Sequence, residues 1–371
     1  MRVLVFALSI IVLFTGCSSD SGDDNSTVDP NYNKEAMLVS WADNIIIPAF
    51  TNYQLKVNSL NESTITFTQN PGTETLLDLR NKWLEAYKAY QHVGIFDMGK
   101  ATDLKLLESS NTYPTDAGNI EANISSGAYN LSAQAQFASQ GFPALDYMLY
   151  GVKETDEDIL ALYTDGAKAA GYKAYLTALS ARLKLTADAV LEDWAGGYRA
   201  TFIGLDNAIT GSLNQMANNF IKNLEKDIRA PKVGIPAGIF SNGTLFPDKV
   251  EGYYSNDISK ELLLEATKAS QNFFKGASFG TNGSGPGLNE FLDAMGAKSN
   301  GQSLSGIING QYATIFSEIN KLDNSFSQQI SADNSLMVAT YNAFQQNVVY
   351  LKVDMISALS LTIDYVDGDG D

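Results

Sequence analysis

Apolar residues recur at helical spacing along nearly the whole chain, and this periodicity restricts the fold more than any other feature. Leu76, Leu79, Trp83, Tyr87 and Tyr90 form one stripe. Tyr172, Tyr175, Leu176, Leu179, Leu183 and Val190 form a second, and Leu205, Ile209, Leu213, Met216 and Phe220 a third. The longest, through Met337, Tyr341, Phe344, Val348, Leu351, Met355 and Leu359, predicts a helix of about six turns. Stripes of this kind joined by short polar loops predict an all-α protein of antiparallel helices packed in bundles. Residues 57–69 (VNSLNESTITFTQ) are the one strand-like stretch, too isolated to build a sheet. Loops are expected at residues 111–119, 230–256 and 280–287. The second is long and rich in Gly and Pro, which points to a functional or domain-bridging role. The third, GTNGSGPG, lacks the Gly-Lys-Ser/Thr ending of a phosphate loop and reads as a connector. A division near Gly196-Gly197 separates an N-terminal helical bundle, residues 34–196, from a C-terminal one, residues 197–371.

The first residues describe export. Arg2 is followed by an apolar run over residues 3–14, the length of a signal-peptide core and too short for a comfortable bilayer span. The run ends in Leu13-Phe14-Thr15-Gly16-Cys17, which resembles a bacterial lipobox with bulky Phe14 in place of the usual aliphatic residue. Residues 1–16 are then a lipoprotein signal peptide and Cys17, the only cysteine, is the lipidation site. An ordinary secretory signal with an incidental cysteine is the alternative. Residues 17–33 are polar and acidic and read as a solvated tether. Two or more acyl chains on Cys17 would anchor the protein stably. The expected location is the cell envelope, lipid-anchored to the outer membrane and either periplasmic or surface-exposed.

Charge and ligand chemistry narrow the function. Loss of Arg2 lowers the 25 basic residues to 24 against 42 acidic ones, a net charge of −18. Such a chain repels nucleic acid, which excludes nucleic-acid binding. His92 is the single histidine, and a protein zinc site draws mainly on His and Cys. With no G-x-S-x-G turn, a serine hydrolase has no nucleophile elbow either. Any metal site would be built from carboxylates, carbonyls or the 18 tyrosines, donors that suit ferric iron or another hard cation.

Four segments in order resemble the imelysin family, whose members include insulin-cleaving metalloproteases and iron-regulated envelope proteins. Trp83-x-x-Ala86-x-x-x-Tyr90 followed by Phe96 is similar to its first signature helix, and Tyr113-Pro114-Thr115-Asp116 to its aromatic-Pro-x-Asp turn. Gly141-Phe142-Pro143-Ala144-Leu145-Asp146-Tyr147 aligns with its G-x-H-x-x-E segment. Leu351-Lys352-Val353-Asp354-Met355-Ile356-Ser357-Ala358-Leu359, with Asp367-Gly368-Asp369 beyond, is similar to its C-terminal helix and tail. The resemblance implies two helical bundles with a site in the crevice between them. It places Trp83, Tyr90, Asp97, Tyr113, Asp116, Gly141, Phe142, Pro143, Asp146 and Tyr147 at that crevice.

The departures bear on activity. In G-x-H-x-x-E the His and Glu share one helical face and can reach one metal ion. Here Pro143 stands in place of the histidine and Asp146 in place of the glutamate. Proline has no ligand atom and at a first turn it starts the helix. Tyr87 and Gly94 stand where the family usually has Arg and Glu. Asp146 is either a metal ligand or a charge at a helix start, Asp116 a crevice residue or a helix cap, and His92 a ligand or a packed imidazole. The terminal Asp364, Asp367, Asp369 and Asp371 resemble the start of a calcium loop with no closing bidentate acid. The reading is a non-catalytic, ligand-binding envelope lipoprotein connected with iron or haem uptake and its envelope components. A metallopeptidase is the first alternative, and a structural or partner-binding lipoprotein with a vestigial crevice the second.

Overall fold

The computed structural model describes residue 29 and residues 32–204 and 211–365. Cys17 and its signal, nearly all of the tether, Leu205, Ile209, Asp367, Asp369 and Asp371 lie outside the described residues. The first bundle is built on α1 (Ile47–Gln69) and α2 (Thr73–Gln91), the shorter α3 (Ala117–Ser126) and α4 (Gly141–Asp146), and the long α5 (Gly166–Asp193). The second contains α6 (Ser212–Lys222), which continues through a wider-wound segment, Asn223–Gly234, then α7 (Ser259–Phe274), α8 (Leu304–Lys321) and α9 (Ser335–Val349). Shorter helices fill the connections. Among the described residues the only strands are the two-residue pair Lys298–Ser299 and Gln302–Ser303. No helix among them is long and apolar enough to cross a membrane.

The helical stripes form the core. Every described residue of the four stripes is buried, and each large apolar side chain removed from water contributes roughly 1.5–3 kcal/mol. The last stripe continues unbroken from α9 through Tyr350–Met355 to Ile356–Ala358, as its length predicts.

Residues 57–69 correct the expectation of a strand: they are the second half of α1. Val57, Leu60, Thr64 and Phe67 are its buried face, spaced by three and four residues. The β-branched residues that mimic a strand are tolerated because their hydroxyls bond back along the helix. Thr64 Oγ1 donates to the Leu60 carbonyl at 2.8 Å and Thr66 Oγ1 to the Glu62 carbonyl at 3.1 Å. Long-range packing against α2 and α5 overrides the local strand preference.

Local chemistry sets the helix starts. Thr75 Oγ1 accepts the Gly72 amide at 3.1 Å ahead of α2. Asp116 caps α3 by accepting the Asn119 amide at 2.9 Å. Pro143 lies in the first turn of α4, where an amide has no intrahelical acceptor to lose. At the other end of α5 the helix is interrupted at Gly197, whose φ of 151° is outside the helical range.

The bundles meet along α2 and α7. The start of the chain bridges them: Tyr32 stacks on Phe291 with centroids 4.7 Å apart, and Trp41 packs on Phe273 at 4.8 Å. One apolar core therefore runs through both. The loop expected at residues 230–256 is helical as far as Gly234 and then folds on itself in turns, with the Phe246 amide on the Pro236 carbonyl at 2.9 Å. Its far end, Val250 and Glu251, is buried at the seam.

Candidate functional site at the bundle seam

The segment Gly141–Asp146 is buried throughout. Gly141 has φ 76°, and a Cβ at this position would run into the backbone of Ser109 and Ser110. Phe142 lies flat on Tyr87, with centroids 4.6 Å and planes 6° apart, and packs on Tyr90 at 5.6 Å. The indole Nε1 of Trp83 donates to the Phe142 carbonyl at 3.1 Å. Trp83, Tyr90 and Phe142 thus form an aromatic packing that holds α4 in place.

Asp146, at the end of α4, is 2% exposed. Its Oδ2 accepts the Tyr254 amide at 2.9 Å and its Oδ1 the Ser255 amide at 3.0 Å. Burial pushes its carboxyl up to about 7, against the hydrogen bonds that favour the charged form. Both oxygens hold the residue 252–255 turn of the second bundle against the first. Asp146 is therefore an anchor across the seam, a role its position in the motif does not announce.

Around this anchor the seam opens into a cavity of about 270 Å³ lined in part by Tyr113, Thr115, Pro143, Asp146, Asp248 and Tyr254. A neighbouring cavity of about 250 Å³ is lined in part by Tyr90, Glu108, Asn111, Tyr113, Asp227 and Pro231. Tyr113, which precedes Pro114 through a cis peptide, lines both. The hydroxyls of Tyr113 and Thr115 are buried without a hydrogen-bond partner among the described residues. Leaving such a group unsatisfied costs about 1–3 kcal/mol, so each marks a place where a polar ligand would be stabilised. Burial, with Glu251 and Asp227 nearby, raises the Tyr113 phenol well above its ordinary value, so it is a hydrogen-bond donor at neutral pH. Burial also pushes Asp227 up to about 6.

Beneath the cavities lies a buried polar cluster that spacing in the sequence did not reveal. Lys232 and Glu251, 3% and 2% exposed, form an ion pair. Lys232 Nζ also donates to Gln91 Oε1 at 3.0 Å, and Glu251 Oε1 accepts from Asn111 at 2.8 Å and Gln91 at 3.2 Å. Tyr87 donates to Asn111 Oδ1 at 2.5 Å. Burial lowers the Lys232 ammonium, while Glu251 opposes that shift. The only available signal was the length of the 230–256 segment, which carries both charges.

The remaining expected residues are used elsewhere. Asp97 accepts from Thr102 at 3.1 Å and faces Lys222 at 3.5 Å. Asp116 is the α3 cap described above. Tyr147 donates to Glu121 at 2.9 Å. His92 pairs with Glu265 at 3.0 Å and meets the Phe279 ring edge-on, the geometry of a packed imidazole.

The residues do not fit a catalytic zinc ion. Such an ion needs three protein ligands and an open position; Pro143 supplies none, and both Asp146 oxygens are committed to backbone amides. Among the described residues no group of three or more His, Cys, Asp and Glu side chains converges as a metal cage.

Two helical bundles joined along a polar seam, with the Gly-x-Pro-x-x-Asp helix in its wall, define an all-α fold of two packed bundles. The model of the imelysin peptidase family matches residues 46–352, and the chain belongs to that family. Its fold is similar to that of an imelysin-like protein from Psychrobacter arcticum 273-4, at 17% identity and a TM-score of 0.69, covering 90% of this chain and 97% of that one. It is also similar to a structure described as an iron-regulated protein A precursor from Parabacteroides distasonis ATCC 8503. There the identity is 16% and the TM-score 0.70, over 88% of this chain and 94% of that one. A sequence comparison with curated proteins gives no match.

Proposed function

We propose that this imelysin-family protein is a non-catalytic binding lipoprotein of the cell envelope, taking an iron complex or haem at the seam between its bundles. The observation that carries the reading is the pair of unpartnered hydroxyls, Tyr113 and Thr115, on a cavity whose motif helix lacks a metal-binding pair. Asp248 on one cavity and Glu108 and Asp227 on the other suit a ligand carrying a hard cation. The iron context is supported by the resemblance and by the name of the Parabacteroides structure. The test is calorimetric titration with ferric citrate and with haemin. Tyr113→Phe is expected to weaken binding of whichever ligand is taken by about tenfold, the value of one buried hydrogen bond of about 1.4 kcal/mol. Absence of binding by the wild type would favour a structural lipoprotein with a vestigial crevice. Chelator-sensitive cleavage of an unfolded polypeptide would favour the peptidase.

Anchoring through Cys17 is part of the same proposal. Cys17→Ser is expected to move the protein from the detergent phase to the aqueous phase on cloud-point partitioning of whole-cell extracts. A variant retained with the detergent would remove the lipid anchor.

A further inference from the structure

The glycine-rich segment that the sequence offers only as a connector walls a third cavity, of about 410 Å³ and larger than either seam cavity. The other walls are the segment leading into α1, the end of α2 and one side of α7. Backbone hydrogen bonds fix the glycine-rich turn in place. The Ala277 amide donates to the Asn272 carbonyl at 2.9 Å and the Ser278 amide to the Gly283 carbonyl at 2.9 Å. The Phe279 amide reaches across to the Asn44 carbonyl at 2.8 Å. Polarity is graded with depth. Ile45, Ala49, Phe96, Ala269 and Phe273 are buried and make the floor. Asn272, Thr281 and Asn282 are exposed at the mouth. Among the described residues no Lys, Arg, Asp or Glu lines this cavity, in contrast to the acidic seam.

The half-buried imidazole of His92 is part of the wall. Its Nε2 meets Glu265 Oε2 at 3.0 Å, and Glu265 Oε1 accepts from the Lys268 ammonium at 2.8 Å. A carboxylate paired with an ammonium is ionised and can only accept, so Nε2 carries the proton. In the neutral ring Nδ1 is then an acceptor, and it has no hydrogen-bond partner among the described residues. We infer that this cavity binds a small, flat, uncharged aromatic molecule with one N–H or O–H, an indole or a phenol, which donates to His92 Nδ1. The volume lies in the range of about 300–1,000 Å³ usual for small-molecule sites. Phe96 stands edge-on to Phe273 at 5.9 Å and Phe279 edge-on to His92 at 5.4 Å, so a further ring finds aromatic neighbours. A charged ligand would meet no opposite charge here, and the hydroxyls of a sugar would leave water for an apolar floor without partners. An alkyl chain would leave Nδ1 unused.

Indole and 1-methylindole differ at the single N–H and therefore separate the hydrogen bond from apolar contact. Calorimetric titration of the purified chain at about pH 8, above the ordinary imidazole range, is expected to show saturable indole binding. 1-Methylindole is expected to bind about tenfold more weakly. His92→Phe keeps a ring against Phe279 and is expected to bind the two equally. Ala269→Phe fills the floor and is expected to abolish binding of both, with circular dichroism confirming the fold. Tyr113→Phe is expected to leave indole binding unchanged, since the site is separate from the seam and does not rest on the ligand proposed there. No saturable binding of indole by the wild type, or equal binding of the two compounds, overturns the inference. So does a preference for indole that survives His92→Phe, or binding that survives in folded Ala269→Phe. Loss of indole binding in Tyr113→Phe also overturns it and moves the ligand to the seam.

Discussion

Lys232→Met is expected to destabilise the protein by about 3–5 kcal/mol, because it leaves the Glu251 charge buried without its ion-pair partner. The hydrogen bonds from Asn111 and Gln91 remain, but neither carries a compensating charge. Lys232→Met combined with Glu251→Gln removes the uncompensated charge and keeps an acceptor for Asn111. That double variant is expected to recover most of the loss, since replacing a buried pair is far less costly than breaking it. Guanidinium denaturation of the four members of this double-mutant cycle measures the difference. A single variant within about 1 kcal/mol of the wild type would mean that water reaches the pair and that the seam is open to solvent at its base. The cluster lies directly under the 252–255 turn, so its loss should also loosen the cavity that Asp146 and Tyr113 share.

Gly141→Ala should be as damaging, for a different reason. At φ 76° a side chain costs about 1–2 kcal/mol. Beyond that, a Cβ at this position would run into the Ser110 carbonyl and the Ser109 oxygen, and both are backbone atoms that cannot swing aside. The expected total is at least about 4 kcal/mol, in the range reserved for overpacking with backbone strain. Gly127→Ala is the control. Gly127 also has positive φ, 63°, but nothing lies within 4 Å of the added carbon, so only the conformational part should appear. Thermal melts of the two variants side by side read the contact itself. Equal losses would show that the α4 start gives way, and that Gly141 serves only its own dihedral angle.

These two positions show how unevenly the site could be read in advance. Gly141 belongs to a segment recognisable by its family likeness, and Pro143 within it showed at once that a zinc pair could not form. Asp146 was visible as a carboxylate at the motif position. Its partners, the amides of Tyr254 and Ser255, lie more than a hundred residues away in a stretch of turns with no periodicity. Asp97 and Asp116 were drawn to the crevice by the same likeness, and the structure occupies both locally, one with Thr102 and Lys222, the other as a cap. The strand-like residues 57–69 misled because propensity is a statement about single residues, whereas the burial of Val57, Leu60, Thr64 and Phe67 is set by neighbours on α2 and α5.

The amino-acid order alone determined that the chain is helical and where the four striped helices run. Their burial faces repeat every three to four residues, and that signal is written within each segment. It also determined which chemistry is missing: one histidine, one cysteine and Pro143 in the motif are facts of composition that no folding can alter. Tertiary structure alone decided which charges meet. Lys232 with Gln91 and Glu251, Asp146 with the 252–255 turn, and Glu121 with Tyr147 and Tyr172 each join residues from separate elements. Side-chain spacing along a helix carries no information about which other helix will face it. Each pairing arises when burial of the apolar stripes sets the bundles against one another and leaves these polar groups no other partner.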